Sequence, residues 1–220
     1  MEGLMRVLLF ISMICCSYAD YEIKTLSTHP RVYVIPNFLS EKECDHLIEL
    51  STPMLERSTV LNEQGGIDSI DERRSSYGAF FPTDLQDRTV RKIERRIADL
   101  THYPVENGES IQILRYKKGG EYQPHFDYFP RSTLGGASAL SRGGQRVATV
   151  IMYLKAPSAG GETIFPRANL SIVPKKGTAL LFYNCLENGQ EDPLSLHGGA
   201  PVKGGEKWIA TKWIREGVFY

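Results

Sequence analysis

The sequence predicts a mainly β fold with supporting helices (α+β), of the sandwich, barrel or jelly-roll type. Three observations carry that expectation. Two amphipathic helical segments lie in the first half of the chain. The second half breaks into short runs rich in branched and aromatic residues, separated by Gly, Pro and Asn clusters. No internal repeat and no linker-like stretch divides the 220 residues, which suits one domain over 20–220.

Met1–Ala19 reads as a secretory signal. Arg6 gives a positive start, Val7–Cys16 is apolar but for Ser12, and Ser17-Tyr18-Ala19 ends on small residues at the positions a signal peptidase reads. The apolar run is about half the roughly 20 residues needed to cross a bilayer, so cleavage after Ala19 is expected and not a retained anchor. No other segment is long and apolar enough to span. The address is then the secretory pathway: an endoplasmic reticulum lumen in a eukaryote, the periplasm or medium in a bacterium. Cleavage leaves Cys44 and Cys185, for which one disulfide or two buried free thiols both stay open.

The first helix starts at Ser40-Glu41-Lys42-Glu43, a capping box, and Pro53 stops it. Cys44, Leu47, Ile48 and Ser51 share its inner face. The second runs from about Asp87 to Thr101, with Val90, Ile93, Ile97 and Leu100 at helical spacing. Arg91, Lys92, Glu94, Arg95 and Arg96 are expected to face water. Strands are expected at Ile111–Tyr116, Val147–Leu154, Leu170–Val173, Gly177–Tyr183 and Lys207–Ile214. Ser132–Gly144, rich in Gly and Ser, reads as a mobile loop beside the motif below, a candidate lid.

Lys+Arg 26 balances Asp+Glu 26, which removes the basic signature of a nucleic-acid binder. A 41% hydrophobic fraction and 24% charged fraction exclude disorder. No CxxC or Cys/His zinc-finger pattern occurs. The chemistry lies elsewhere. His125 and Asp127 are two residues apart, so on an extended chain they point the same way and can share a metal. His197 is the best third ligand. Two His and one carboxylate with open sites opposite is the non-haem Fe(II) triad. His29, His46 and His102 have no acidic partner in strand register and are assigned to structure or surface. Lys207 stands ten residues after His197, on a strand face shared with Ile209, Thr211 and Trp213, while Trp208, Ala210, Lys212 and Ile214 take the other. A buried lysine needs an anion, which a carboxylate-bearing cosubstrate would supply.

His125-x-Asp127, His197 and Lys207, with Arg146-x-Ala148-Thr149, Gly160-Gly161-Glu162-Thr163-x-Phe165-Pro166 and Lys207-Trp208-Ile209-Ala210-Thr211-Lys212-Trp213, resemble the motifs of prolyl 4-hydroxylases. The resemblance covers about Val34 to Glu216 and is to the compact single-domain type. It implies a double-stranded β-helix (jelly roll) and a dioxygenase that takes Fe(II), O2 and 2-oxoglutarate, with L-ascorbate as reductant. It also implies hydroxylation of peptidyl proline at C4, with 2-oxoglutarate leaving as succinate and CO2. Carried over, His125, Asp127 and His197 would hold iron, and Lys207 would bind 2-oxoglutarate with Tyr116, Thr163 and Trp213. Tyr122, Arg146, Arg74 and Ser76 would meet a proline-rich peptide. Ser75 and Tyr77 stand where the family loop carries Thr and Ser, and Arg215 where relatives often carry His; the first departure bears on substrate preference, not on the chemistry. Two other classes compete: a zinc hydrolase on the same three ligands, and a peptide-binding jelly roll without turnover. The sequence is silent on oligomeric state.

Overall fold

A computed structural model describes residues 21–60 and 69–220. The signal-like segment lies outside the described residues. The architecture is mainly β with supporting helices, as expected, and the described residues form three α-helices where the sequence pointed to two. An eight-stranded antiparallel sheet runs in the order Lys24–Thr28, Arg31–Ile35, Ala179–Tyr183, Arg146–Lys155, Lys207–Arg215, Ile111–Tyr116, Tyr77–Phe81 and Glu56–Arg57. A smaller four-stranded sheet has the order Leu170–Ile172, Thr163–Phe165, His197–Gly199 and Tyr122–His125.

The large sheet buries both faces, so its central strands are buried along nearly their whole length and mostly apolar, with a few buried polar residues among them. On one face Val150, Met152, Ala210 and Ile214 join the helices in one core; on the other Ile151, Tyr153, Ile209 and Leu114 join Phe165 and Ile172 of the small sheet in a second. Lys207–Arg215 alternates between these faces as the sequence predicts. Tyr77, in register with Arg115, sits 5.3 Å under the Lys117 ammonium. Strand alternation gives Tyr77 the helix-side face of Ala79 and Phe81.

Helix α1 (Glu41–Ser51) begins at the expected capping box, with Ser40 Oγ accepting from Glu43 N at 3.2 Å and Glu43 accepting from Ser40 N at 2.8 Å. Helix α2 (Arg88–Thr101) is capped by Asp87, which also meets His46 at 2.6 Å. Its polar face departs from the expectation. Glu94 is buried, 2.6 Å from the buried Lys212 ammonium, and Arg96 clamps Glu43 at 2.7 Å. Glu94 lies four residues after Val90 and three before Ile97, inside the apolar stripe, and a partner on the sheet makes its burial tolerable.

Ser132–Gly144 is not a loop throughout. It contains α3 (Leu134–Leu140), capped by Thr133, whose Oγ1 accepts from Gly136 N at 3.0 Å. Gly136 is there for close packing: a Cβ would lie 1.9 Å from Pro130 O. None of its residues lines the cavity described next. Cys44 and Cys185 are buried free thiols.

Candidate metal centre

The small sheet pairs His197 directly opposite His125. Cross-strand partners on one face stand close, and the two rings lie 4.5 Å apart between centroids. Asp127 follows two residues on and turns back between them. Its Oδ1 is 3.6 Å from His125 Nε2 and its Oδ2 is 3.6 Å from His197 Nε2. The three ligand atoms lie within 4.8 Å of one another.

Hydrogen bonding decides what these atoms present. His125 Nδ1 is 2.9 Å from Gln123 O and His197 Nδ1 is 3.0 Å from Ser195 O. A carbonyl only accepts, so each Nδ1 carries the proton, and in a neutral ring Nε2 carries a lone pair. Burial, opposed by the Asp127 charge, lowers His197 to about 4, so it is neutral at pH 7. Burial pushes the Asp127 carboxyl up, but His197, His125 and the more distant Arg146 outweigh it and hold it far below the usual carboxylate range. With both rings in the neutral form that these Nδ1 bonds select, three acceptors converge. That donor set fits a divalent cation bound by two imidazoles and one carboxylate.

Lys207 lies in the same cavity on the facing sheet, opposite Tyr116 in register. It is 3% exposed, and among the described residues no carboxylate is in ion-pair contact with its ammonium, Glu162 acting on it only from a distance. The Tyr116 and Tyr153 rings flank it at 5.8 and 5.7 Å. Burial lowers it to about 8. The turn at Gly160-Gly161 makes room for its stem: Gly161 has φ +74°, and a Cβ there would lie 3.3 Å from Lys207 Cδ. A buried cation with no carboxylate in direct contact among the described residues fits an anionic ligand that arrives from solution.

Thr163, Trp213, Tyr122 and Arg74 line the same cavity. The Thr163 hydroxyl meets Tyr153 Oη at 2.8 Å, and the Trp213 indole nitrogen is buried with no partner among the described residues. Tyr122 stacks on His125 at 3.6 Å, with Arg74 4.9 Å over its ring. Arg74 is itself buried and donates to Thr59 O, Gln112 Oε1 and Ser76 Oγ. Two of the expected residues stand outside the cavity. Ser76 lies behind Arg74, donating to Ser58 Oγ at 2.9 Å. Arg146 is engaged by Glu109 at 2.6 and 2.7 Å and borders the cavity behind Trp213, whose ring it covers at 4.0 Å. Arg215 shares Glu109 at 2.6 Å. The residues that sequence reasoning missed are Thr149, Tyr153 and Asn184. Thr149 and Tyr153 are polar groups on alternate positions of an apolar strand, a pattern that marks the side facing a site.

Comparisons with known proteins agree with this chemistry. A profile of the 2OG-Fe(II) oxygenase superfamily matches residues 111–215. The chain is 42% identical over 212 residues to probable prolyl 4-hydroxylase 10 of Arabidopsis thaliana, spanning 88% of this chain and 71% of the relative. It is 42% identical over 211 residues to prolyl 4-hydroxylase 5 of the same plant, spanning 87% and 70%. The viral collagen prolyl hydroxylase of Paramecium Bursaria Chlorella virus-1, solved as its 2OG complex, superposes with a TM-score of 0.65 at 32% identity. That match covers 84% of this chain and 95% of the viral one.

Proposed function

Because this chain belongs to the prolyl 4-hydroxylase family within the 2OG-Fe(II) oxygenase superfamily, we propose roles for its site residues, a substrate class and a compartment. The protein is a 2-oxoglutarate- and Fe(II)-dependent prolyl 4-hydroxylase. The iron, when bound with 2-oxoglutarate and O2, supplies the oxidising power: 2-oxoglutarate leaves as succinate and CO2, and one oxygen atom goes to proline C4.

His125, Asp127 and His197 hold the iron on one face. Lys207 binds the distal carboxylate of 2-oxoglutarate, with the Tyr153-bonded Thr163 hydroxyl and the Tyr116 ring beside it. The free Trp213 indole N–H is a further donor toward the cosubstrate. Tyr122 and Arg74 form one wall and orient the peptide. The apolar lining, with Leu114, Ile151 and Ile209, excludes water from the reacting centre. The observation that carries this assignment is the unpaired Lys207 ammonium buried opposite three converging acceptors.

The substrate is an extended proline-rich chain, which the polyproline II form presents at low entropic cost. Arg146 supports that groove through Trp213. L-Ascorbate serves as the reductant, and residues 20–220 act as one catalytic domain in the secretory pathway after loss of Met1–Ala19. Among the described residues no helix is long and apolar enough to cross a membrane. The zinc-hydrolase alternative lacks a base, since Asp127 is the sole carboxylate among the described residues of the cavity lining. A non-catalytic binding module has no use for the complete ligand set.

Mass spectrometry of proline-rich peptide panels after incubation with Fe(II), 2-oxoglutarate and ascorbate tests the reaction and the substrate class together. A mass gain of one oxygen on proline, with matching succinate, is expected, and Asp127→Asn should form none. Succinate without any hydroxylated proline across the panel would refute the substrate assignment.

A further inference from the structure

Behind the aspartate stand two side chains with no part in the assignment above. Thr149 Oγ1 donates to Asp127 Oδ2 at 2.7 Å, and Asn184 Nδ2 donates to Thr149 Oγ1 at 3.0 Å. Both residues are 0% exposed. The direction of this chain is forced. An ionised carboxylate has no hydrogen to give, so Thr149 must donate its single proton to Asp127, and its oxygen must then accept from Asn184.

The backbone is built to hold it. Thr149 pairs with Phe182 across two central strands of the large sheet. Asn184 follows that strand and is pinned on both sides, its N–H donating to Val147 O and its carbonyl accepting from Asp192 N, each at 2.9 Å. Asn184 Oδ1 is buried with no partner among the described residues. An orphaned amide oxygen is costly, and stability alone would favour an apolar side chain at 184. What the asparagine gives in return is a directed Thr149 hydroxyl.

We propose that Thr149 and Asn184 are positioning residues that make Asp127 a one-oxygen ligand. Thr149 occupies Oδ2 and fixes the carboxylate plane. No described residue donates to Oδ1 within 3.5 Å, which leaves that oxygen for the metal. With one lone pair of Oδ2 taken by Thr149 and the carboxylate plane fixed, chelation by both oxygens is disfavoured, so the pair helps keep open the coordination positions that a cosubstrate and O2 require. This rests on the assignment of Asp127 as a ligand.

The test titrates Co(II) alone into the purified protein under argon, reading affinity by calorimetry and coordination by visible absorption. Outer partners of metal ligands are typically worth ~10- to 100-fold in metal affinity, so Thr149→Val should lose that much and change the cobalt spectrum, while Thr149→Ser stays within about threefold of wild type. Asn184→Leu should lose affinity in the same sense, by less. Asp127→Ala separates the two layers of the argument. If it abolishes tight binding while Thr149→Val binds with wild-type affinity and spectrum, the positioning role is overturned and the ligand assignment stands. If Asp127→Ala binds as wild type, the ligand assignment itself fails. Should Thr149→Val not fold, wild-type affinity and spectrum in Asn184→Leu overturn the proposal equally.

Discussion

The charge state of Lys207 sets a measurable pH dependence on cosubstrate binding. Its folded pKa is lowered to about 8 by burial. The free protein therefore holds this lysine ~90% protonated at pH 7 and ~10% protonated at pH 9. The carboxylates of 2-oxoglutarate stay ionised throughout that range. Binding that needs the ammonium should weaken about tenfold between pH 7 and 9, because each bound ligand must first recover the proton. Lys207→Met removes a charge-assisted contact of about 1.5–3 kcal/mol. That corresponds to roughly 10- to 150-fold weaker binding at pH 7. The stability sign is opposite. The unfolded lysine titrates near ~10.4, so the unfolded chain binds more protons between pH 8 and 10.4, and the ligand-free fold gains about 3 kcal/mol as the pH rises through that window. Lys207→Met should keep that gain at pH 7. The assay is calorimetric titration of 2-oxoglutarate into the Mn(II)-loaded protein at pH 7, 8 and 9, with urea unfolding of the ligand-free form. A wild-type dissociation constant that stays flat from pH 7 to 9, or a Lys207→Met variant with the same slope, would refute the reasoning.

Two further substitutions probe the buried ion pairs around the site. Glu109, shared by Arg146 and Arg215, is pushed up by burial, but the two guanidiniums outweigh this and lower its pKa. Its contribution is therefore full above the unfolded value of ~4.3 and is lost as acid titrates it; Glu109→Gln should cost about 3–5 kcal/mol at pH 7 in urea unfolding, with the deficit shrinking below pH 4. Burial raises the Glu94 pKa and lowers that of Lys212, so desolvation outweighs their mutual attraction. Glu94→Leu alone should cost about 3–5 kcal/mol by stranding the lysine, whereas Glu94→Leu with Lys212→Met should be neutral or more stable by thermal melting, with catalysis unchanged.

Local pattern carried the fold where it was strong and failed where burial depended on a distant partner. The alternation along Lys207–Ile214 correctly separates the site face from the core face, because a strand has period two whatever surrounds it. The His125–Asp127 spacing works for the same reason. His197 could be proposed only as a candidate, since its place opposite His125 is a register fact of the small sheet. Glu94 sat in the apolar stripe of α2, but its charge read as solvated; its counter-ion comes from another element. Ser132–Gly144 read as loop from composition, yet Gly136 is small for contact with Pro130 and not for flexibility. Thr149 stood in a quoted motif and on the site face of its strand, but its role, like that of Asn184 just beyond a strand end, could not be read until the carboxylate they serve was placed.

The two lysines of the last strand separate a structural cation from a functional one. Lys207 and Lys212 are each 3% exposed, on one strand and on opposite faces. Burial costs both ammonium groups hydration. Lys212 meets Glu94 at 2.6 Å, so its charge is balanced within the chain, and an apolar pair of like volume can take its place. Lys207 has no such contact partner among the described residues, and two aromatic faces flank its ammonium. A site that exists only for stability would not keep a cation at that cost. Its position beside three metal-facing ligand groups accounts for it: the cavity carries an unbalanced positive charge that a dicarboxylate neutralises on arrival. Cosubstrate binding and relief of burial cost are then the same event, which is why affinity and ligand-free stability should respond to pH in opposite directions.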